Sequence, residues 1–129
     1  MKKVFLGGTC NNSTWREELI PLLKIDYFNP VVDDWNDEAY ELELFEREHC
    51  DFCLYVISPE MLGVYSIAEA VDDSNKRPSK TVFCIKGDVL DFGKHQLKSL
   101  NSVGKMVENN GGYWATDFQD LVNYLNDKN

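Results

Sequence analysis

Glu69 is the residue whose type and setting first suggest chemistry. It closes the stretch Gly63-Val64-Tyr65-Ser66-Ile67-Ala68-Glu69 and has small or apolar neighbours. On a helix that advances 100° per residue, Val64, Ile67, Ala68 and Val71 share one face. Tyr65, Ser66, Glu69, Asp72 and Asp73 share the other. A carboxylate so placed is expected to point away from the core, towards the mouth formed by strand ends. The spacing Ser66-x-x-Glu69 is also that of a capping box, in which the glutamate only bonds back to the Ser66 amide. Both readings stand at this level. Trp15, Trp35 and Tyr65 each offer a flat ring on which a planar ligand could stack. For Trp15, packing in the core is the competing role.

Gly7-Gly8-Thr9 follows a short apolar run. Its amides and hydroxyl could cradle an anion at the start of a helix, or the glycines could simply make a tight turn. No positive charge follows until Arg16. The chain has no GxGxxG, P-loop, HExxH or GxSxG pattern, so no cofactor is expected. Cysteines stand at 10, 50, 53 and 84. Cys50-x-x-Cys53 leads into a strand instead of opening a helix, and it has no second pair. Plain thiols are expected, with no disulfide and no metal. His49 and His95 are lone and read as structural or surface residues.

The elements that must position these groups alternate. Apolar runs predict strands at residues 3–6, 27–30, 52–57, 81–85 and 113–115. Helical patterns lie between them, starting near Trp15 with Pro21 as an irregularity. Further helices are expected at 38–49 with Asp37 as cap, at 66–75, at 94–108 and at 117–125. Strand and helix in alternation imply an α/β fold. We expect a doubly wound, mainly parallel five-stranded sheet with helices on both faces, flavodoxin-like, in the order 2-1-3-4-5. Near-continuous apolar strands suit a sheet covered on both sides. Ligands in such folds bind beyond the carboxyl ends of the strands. Those ends are Gly7 to Thr9, Asn29 to Asp34, Ser58 to Ser66, and Lys86 to Asp88.

Composition agrees. The chain has 129 residues, 43% of them hydrophobic, and 13 basic against 22 acidic residues give a net charge of −9. That balance excludes a disordered or collagen-like chain. It also argues against a protein that wraps nucleic acid, which needs clustered Lys and Arg. No stretch approaches the roughly 20 apolar residues of a membrane span. One domain over residues 1–129 is expected, in a soluble, cytoplasmic protein with no nucleic-acid or membrane partner.

A set of segments then adds a resemblance. They are Val4-Phe5-Leu6-Gly7-Gly8, Trp15-Arg16, Asn29-Pro30-Val31-Val32-Asp33-Asp34-Trp35, Cys50-Asp51 ahead of the run at 52–57, and Gly63 to Glu69. In this order and spacing the chain resembles the nucleoside 2-deoxyribosyltransferase family, especially its small, nucleoside 2-deoxyribosyltransferase-like branch. The likeness spans about residues 3–86. It implies an enzyme that cleaves the N-glycosidic bond of a 2-deoxynucleoside. The glutamate matching Glu69 would attack the anomeric carbon, and the deoxyribosyl ester would then pass to another base or to water. The family's acid, an aspartate eight residues before the position of Asp51, maps onto Glu43. Glu43 also reads as part of a solvated helix face, beside Glu41, Glu46 and Glu48. Where some relatives carry a base-reading aspartate this chain has Gly63, and Asp33 or Asp34 could take over that task. Both aspartates also suit a turn. The resemblance implies a nucleoside or nucleotide and a free nucleobase as small-molecule partners. It also implies a homo-oligomer in which a neighbouring subunit completes each pocket, with residues 112–114 and 123–129 as candidates. Two alternatives share the cleft: a 2-deoxynucleoside 5-monophosphate N-glycosidase, and a module that binds such ligands without turnover.

Overall fold

The computed structural model describes residues 1–10 and 12–127; Asn11 and the last two positions of the tail at 123–129 lie outside the described residues. Five strands form one sheet: β1 (Lys3–Gly8), β2 (Asp26–Phe28), β3 (Phe52–Ile57), β4 (Thr81–Ile85) and β5 (Tyr113–Ala115). All pairings are parallel, in the order β2-β1-β3-β4-β5. This is the expected α/β architecture. The helices are α1 (Trp15–Leu19), α2 (Asp37–His49), α3 (Tyr65–Lys76), α4 (Val89–Phe92), α5 (Lys94–Asn109) and α6 (Phe118–Asp127). Among them, no helix is long and apolar enough to cross a membrane.

Side chains alternate across a strand, so each central strand feeds two cores. Val4, Leu6, Leu54, Val56, Val82 and Cys84 pack on one face with Trp15, Leu19, Leu121 and Leu125. Phe5, Cys53, Tyr55, Ile57 and Phe83 pack on the other with Ala70, Leu100 and Val107. β3 is buried along its whole length, which explains its unbroken apolar run.

Several boundaries differ from the sequence reading, each for a local reason. Pro21 cannot donate to a continuing helix, so α1 ends at Leu19 and a 3-10 turn, Ile20–Leu22, follows. Asn36, not Asp37, caps α2, and its Oδ1 accepts from the Ala39 amide at 2.8 Å. Asp88 starts the one-turn α4 through a reciprocal cap with Asp91. The cap expected of Ser66 and Glu69 does not form. α3 starts one residue earlier, with Val64 at its N-cap and no side-chain cap bond. The four cysteines are free; three are buried and Cys10 is exposed.

The face that α3 turns inward also differs. Val64 is exposed, whereas Glu69, Ala70, Asp73 and Ser74 are buried. Asp73 is wholly enclosed. A carboxylate survives there because three partners compensate its lost hydration. The Arg47 guanidinium grips it with two bonds, 2.9 and 3.3 Å long, and Arg77 and the Tyr55 hydroxyl also donate to it.

Candidate active site

The chain leaves β1 for β2 on one side and places β3 on the other. The carboxyl ends of β1 and β3 therefore flank the switch in strand order, where doubly wound sheets hold ligands. Gly8 makes this junction possible. Its φ is +120°, and a Cβ there would lie 2.1 Å from the Val56 carbonyl oxygen. The two strand ends are stitched across the gap. The Thr9 amide donates to the Val56 carbonyl at 2.9 Å. The Ser58 amide donates to the Thr9 hydroxyl at 3.0 Å.

A cavity of about 320 Å³ opens there. Gly7, Gly8 and Thr9 form its floor, Glu43 reaches it from α2, and Gly63, Tyr65, Ser66 and Glu69 come from the start of α3. Trp35 stands at its rim, 56% exposed, and contacts Tyr40 edge to face. Tyr65, 61% exposed, lies across the mouth. Both side chains are therefore more than half open to solvent.

Three sequence-predicted residues stand elsewhere. Trp15 is wholly buried in the α1 core and cannot stack on a ligand. Its indole N–H donates to the Thr9 carbonyl at 2.9 Å, so it braces the floor from behind. Asp33 and Asp34 sit on an exposed loop and do not line the cavity. The same loop turns Pro30, Val31 and Val32 to the cavity instead.

Glu69 is the most unusual group in the site. It is 8% exposed, yet it lines the cavity. Its Oε2 is buried and accepts no hydrogen bond. The nearest cation, Arg47 Nη1, is 3.4 Å from that oxygen, within ion-pairing distance but not in hydrogen-bond geometry. Burial raises the Glu69 pKa to about 9, helped by hydrogen bonding to, and repulsion from, the neighbouring Glu43 carboxyl; Arg47 opposes the rise. A carboxyl raised by burial and by a neighbouring carboxyl stays protonated, and so neutral, to higher pH than an exposed one.

Arg16 also faces the cavity, and composition gave no hint of its setting. It is buried, and its Nε donates to the Leu6 carbonyl at 3.0 Å while Nη1 donates to the Thr9 carbonyl at 2.7 Å. Burial lowers its pKa, and no carboxylate is among its bonding partners. It therefore locks the loop after β1 while adding positive potential to the cavity. Arg47 was missed too, although a signal existed: it stands four residues after Glu43, on the same face of α2. Phe5 and Met61 complete the apolar lining. Among the described residues, no group of three or more His, Cys, Asp or Glu could hold a metal ion.

Two carboxyls, Glu43 and Glu69, thus line a cleft at the switch point of a parallel sheet, the place where α/β proteins of this topology hold ligands. The sequence model of the nucleoside 2-deoxyribosyltransferase-like family matches residues 1–88, and the chain belongs to that family. The matched span contains every residue that lines the cavity. No curated protein matches the chain.

Proposed function

We propose that this protein cleaves the N-glycosidic bond of a 2-deoxynucleoside by way of a covalent deoxyribosyl-Glu69 intermediate. The observation that carries the reading is a buried carboxyl with an unsatisfied oxygen, open to a nucleoside-sized cavity that Glu43 also lines. Membership of the family supplies the class of reaction. In the first step the C1′–N bond breaks and its electron pair leaves with the base. Glu43 delivers a proton to a ring nitrogen of that base, which makes it a better leaving group. The Glu69 carboxylate then forms an ester with C1′, as in retaining glycosidases. In the second step a nitrogen of an incoming base, or water, attacks C1′. Its proton returns to the carboxyl pair and Glu69 is released. Trp35 and Tyr65 hold the base between ring faces, and Gly7 to Thr9 receive the sugar.

Incubation with 2-deoxynucleosides, with and without a second free base, tests this by chromatography. Free base is expected from the nucleoside alone, and an exchanged nucleoside when a second base is present. Mass spectrometry of the quenched reaction should find deoxyribose on the peptide that carries Glu69. Glu69→Gln should lower kcat/KM by at least about a thousandfold. Unchanged turnover in that variant would rule out Glu69 as nucleophile.

One observation favours a second reading, hydrolysis of the 5-monophosphate: the buried Arg16, which bonds to backbone carbonyls and to no carboxylate. Running the same assay on monophosphates decides between the two. The oligomer implied by the family also has a candidate surface. α2 leaves Tyr40, Leu42, Leu44 and Phe45 exposed beside Trp35, an apolar patch of the kind that marks association. Sedimentation should show a dimer or larger assembly.

A further inference from the structure

Beneath the cavity lies a charged cluster that the proposed chemistry does not by itself explain. Arg47 is buried. Its Nε and Nη2 bind Asp73, Nη2 also reaches Asp72 at 3.3 Å, and Nη1 faces the orphaned Oε2 of Glu69. Asp73 is held in turn by Tyr55 on β3 and by Arg77. We propose that Arg47 is the positioning residue of the reaction: anchored by Asp73 and Tyr55, it steers the buried carboxyl of Glu69 and stabilises its anion when the proton leaves through Glu43. This rests on the reading of Glu69 as nucleophile.

The geometry favours this over a purely structural ion pair. A guanidinium fork fixed by two bonds to one carboxylate has little freedom. Its remaining nitrogen is then aimed, and it is aimed at Glu69, the one buried side chain among the described residues with an unmet acceptor. The charged and titratable groups around Glu69 are Glu43 and Arg47 from α2, and Tyr65, Asp72 and Asp73 from α3. Tyr55 and Arg77 act through Asp73, and Arg16 and Cys10 line the same cavity from the loop after β1. Arg47 is the cation in direct contact with Glu69. It offsets the burial and the neighbouring Glu43 carboxyl, both of which raise the Glu69 pKa.

The test is carbon-13 NMR titration of glutamate side chains in the full chain, with the Glu69 signal assigned by its loss in Glu69→Gln. In Arg47→Met the Glu69 midpoint should rise by about one pH unit or more. In Arg47→Lys it should rise less, because the charge remains but the fork is lost. With a deoxynucleoside, Arg47→Met should lower kcat about tenfold or more and leave KM nearly unchanged, with partial recovery in Arg47→Lys. An unmoved midpoint in folded Arg47→Met overturns the proposal. If Arg47→Met does not fold, the side-chain nitrogen signals of Arg47 in the native protein decide. They should follow the Glu69 titration and stop doing so in Glu69→Gln, and signals that ignore it overturn the proposal. A native protein that turns over no nucleoside would refute the function while the titrations still report on Arg47.

Discussion

The two faces of the sheet solve the same packing problem with opposite materials. Against α1 and α6, the core is hydrocarbon and rings, Leu6, Trp15, Leu19, Leu54, Leu121 and Leu125, with buried Arg16 at its edge, stacked on Trp15 and bonded to backbone carbonyls. Against α2, α3 and α5, the apolar cluster around Phe5, Tyr55 and Phe83 adjoins buried Arg47, Glu69 and Asp73. Hydrocarbon burial is non-directional and needs no partner geometry. Buried charge is costly unless every member is paired, and replacing it with apolar residues is often stabilising. The charged face is thus built at some expense of stability, and it is the face that carries the cavity. The difference separates the part of the molecule that holds the fold from the part that surrounds the Glu69 carboxyl with charge at the cavity.

That contrast can be broken experimentally. Asp73→Ala leaves two guanidinium groups and the Tyr55 hydroxyl without their acceptor. It should cost about 3–5 kcal/mol in denaturant unfolding and should also impair turnover. On the hydrocarbon face, Leu125→Ala should cost about 2–4 kcal/mol through the cavity it leaves, with kcat unchanged under conditions where the variant is folded. A kcat loss as large as that of Asp73→Ala would erase the distinction between the faces.

The pH dependence of stability sharpens it further. An unfolded chain releases the Glu69 proton near the ordinary value of 4.5, whereas burial makes the folded protein hold it to about 9. Between those values the folded state binds more protons, so stability falls as pH rises. The contribution is fully present below about pH 4.5 and lost by about pH 9. Glu69→Gln has no such proton. It should therefore be more stable than the native protein by about 2 kcal/mol at pH 8, a figure reduced from the full shift for partial solvent screening, with the gap closing towards pH 4.5. A pH-independent gap would show that Glu69 titrates normally. The smallest effect is expected at the edge of the charged face, where Asn36→Ala removes the α2 cap and should cost about 1 kcal/mol with little effect on unliganded Glu69.

Strands were legible because a doubly covered parallel sheet demands unbroken apolar runs, as in Phe52–Ile57, while their order was legible only through the fold class that the alternation of strand and helix implied. Glu69 was legible as a carboxylate set among small residues after a strand. Its surroundings were not. Helical periodicity put Asp73 on the outward face with Glu69, but that rule assumes that charge faces water. The rule fails where arginines from α2 and beyond the end of α3 meet the carboxylate inside the protein. Asp33 and Asp34 were plausible ligand readers by type, yet the turn directs the neighbouring valines inward.

The linear order of residues by itself determined the alternation of elements, the loops at the strand ends and the carboxylate they deliver, because these follow from short-range periodicity and turn chemistry. Only the tertiary structure decided that Trp15 braces instead of stacks, that Glu43 and Glu69 line one cavity, and that Arg47 pairs with Glu69. Such pairings join residues far apart in the chain. Their energies depend on burial and on distances of a few ångströms, and neither quantity exists until the chain has folded.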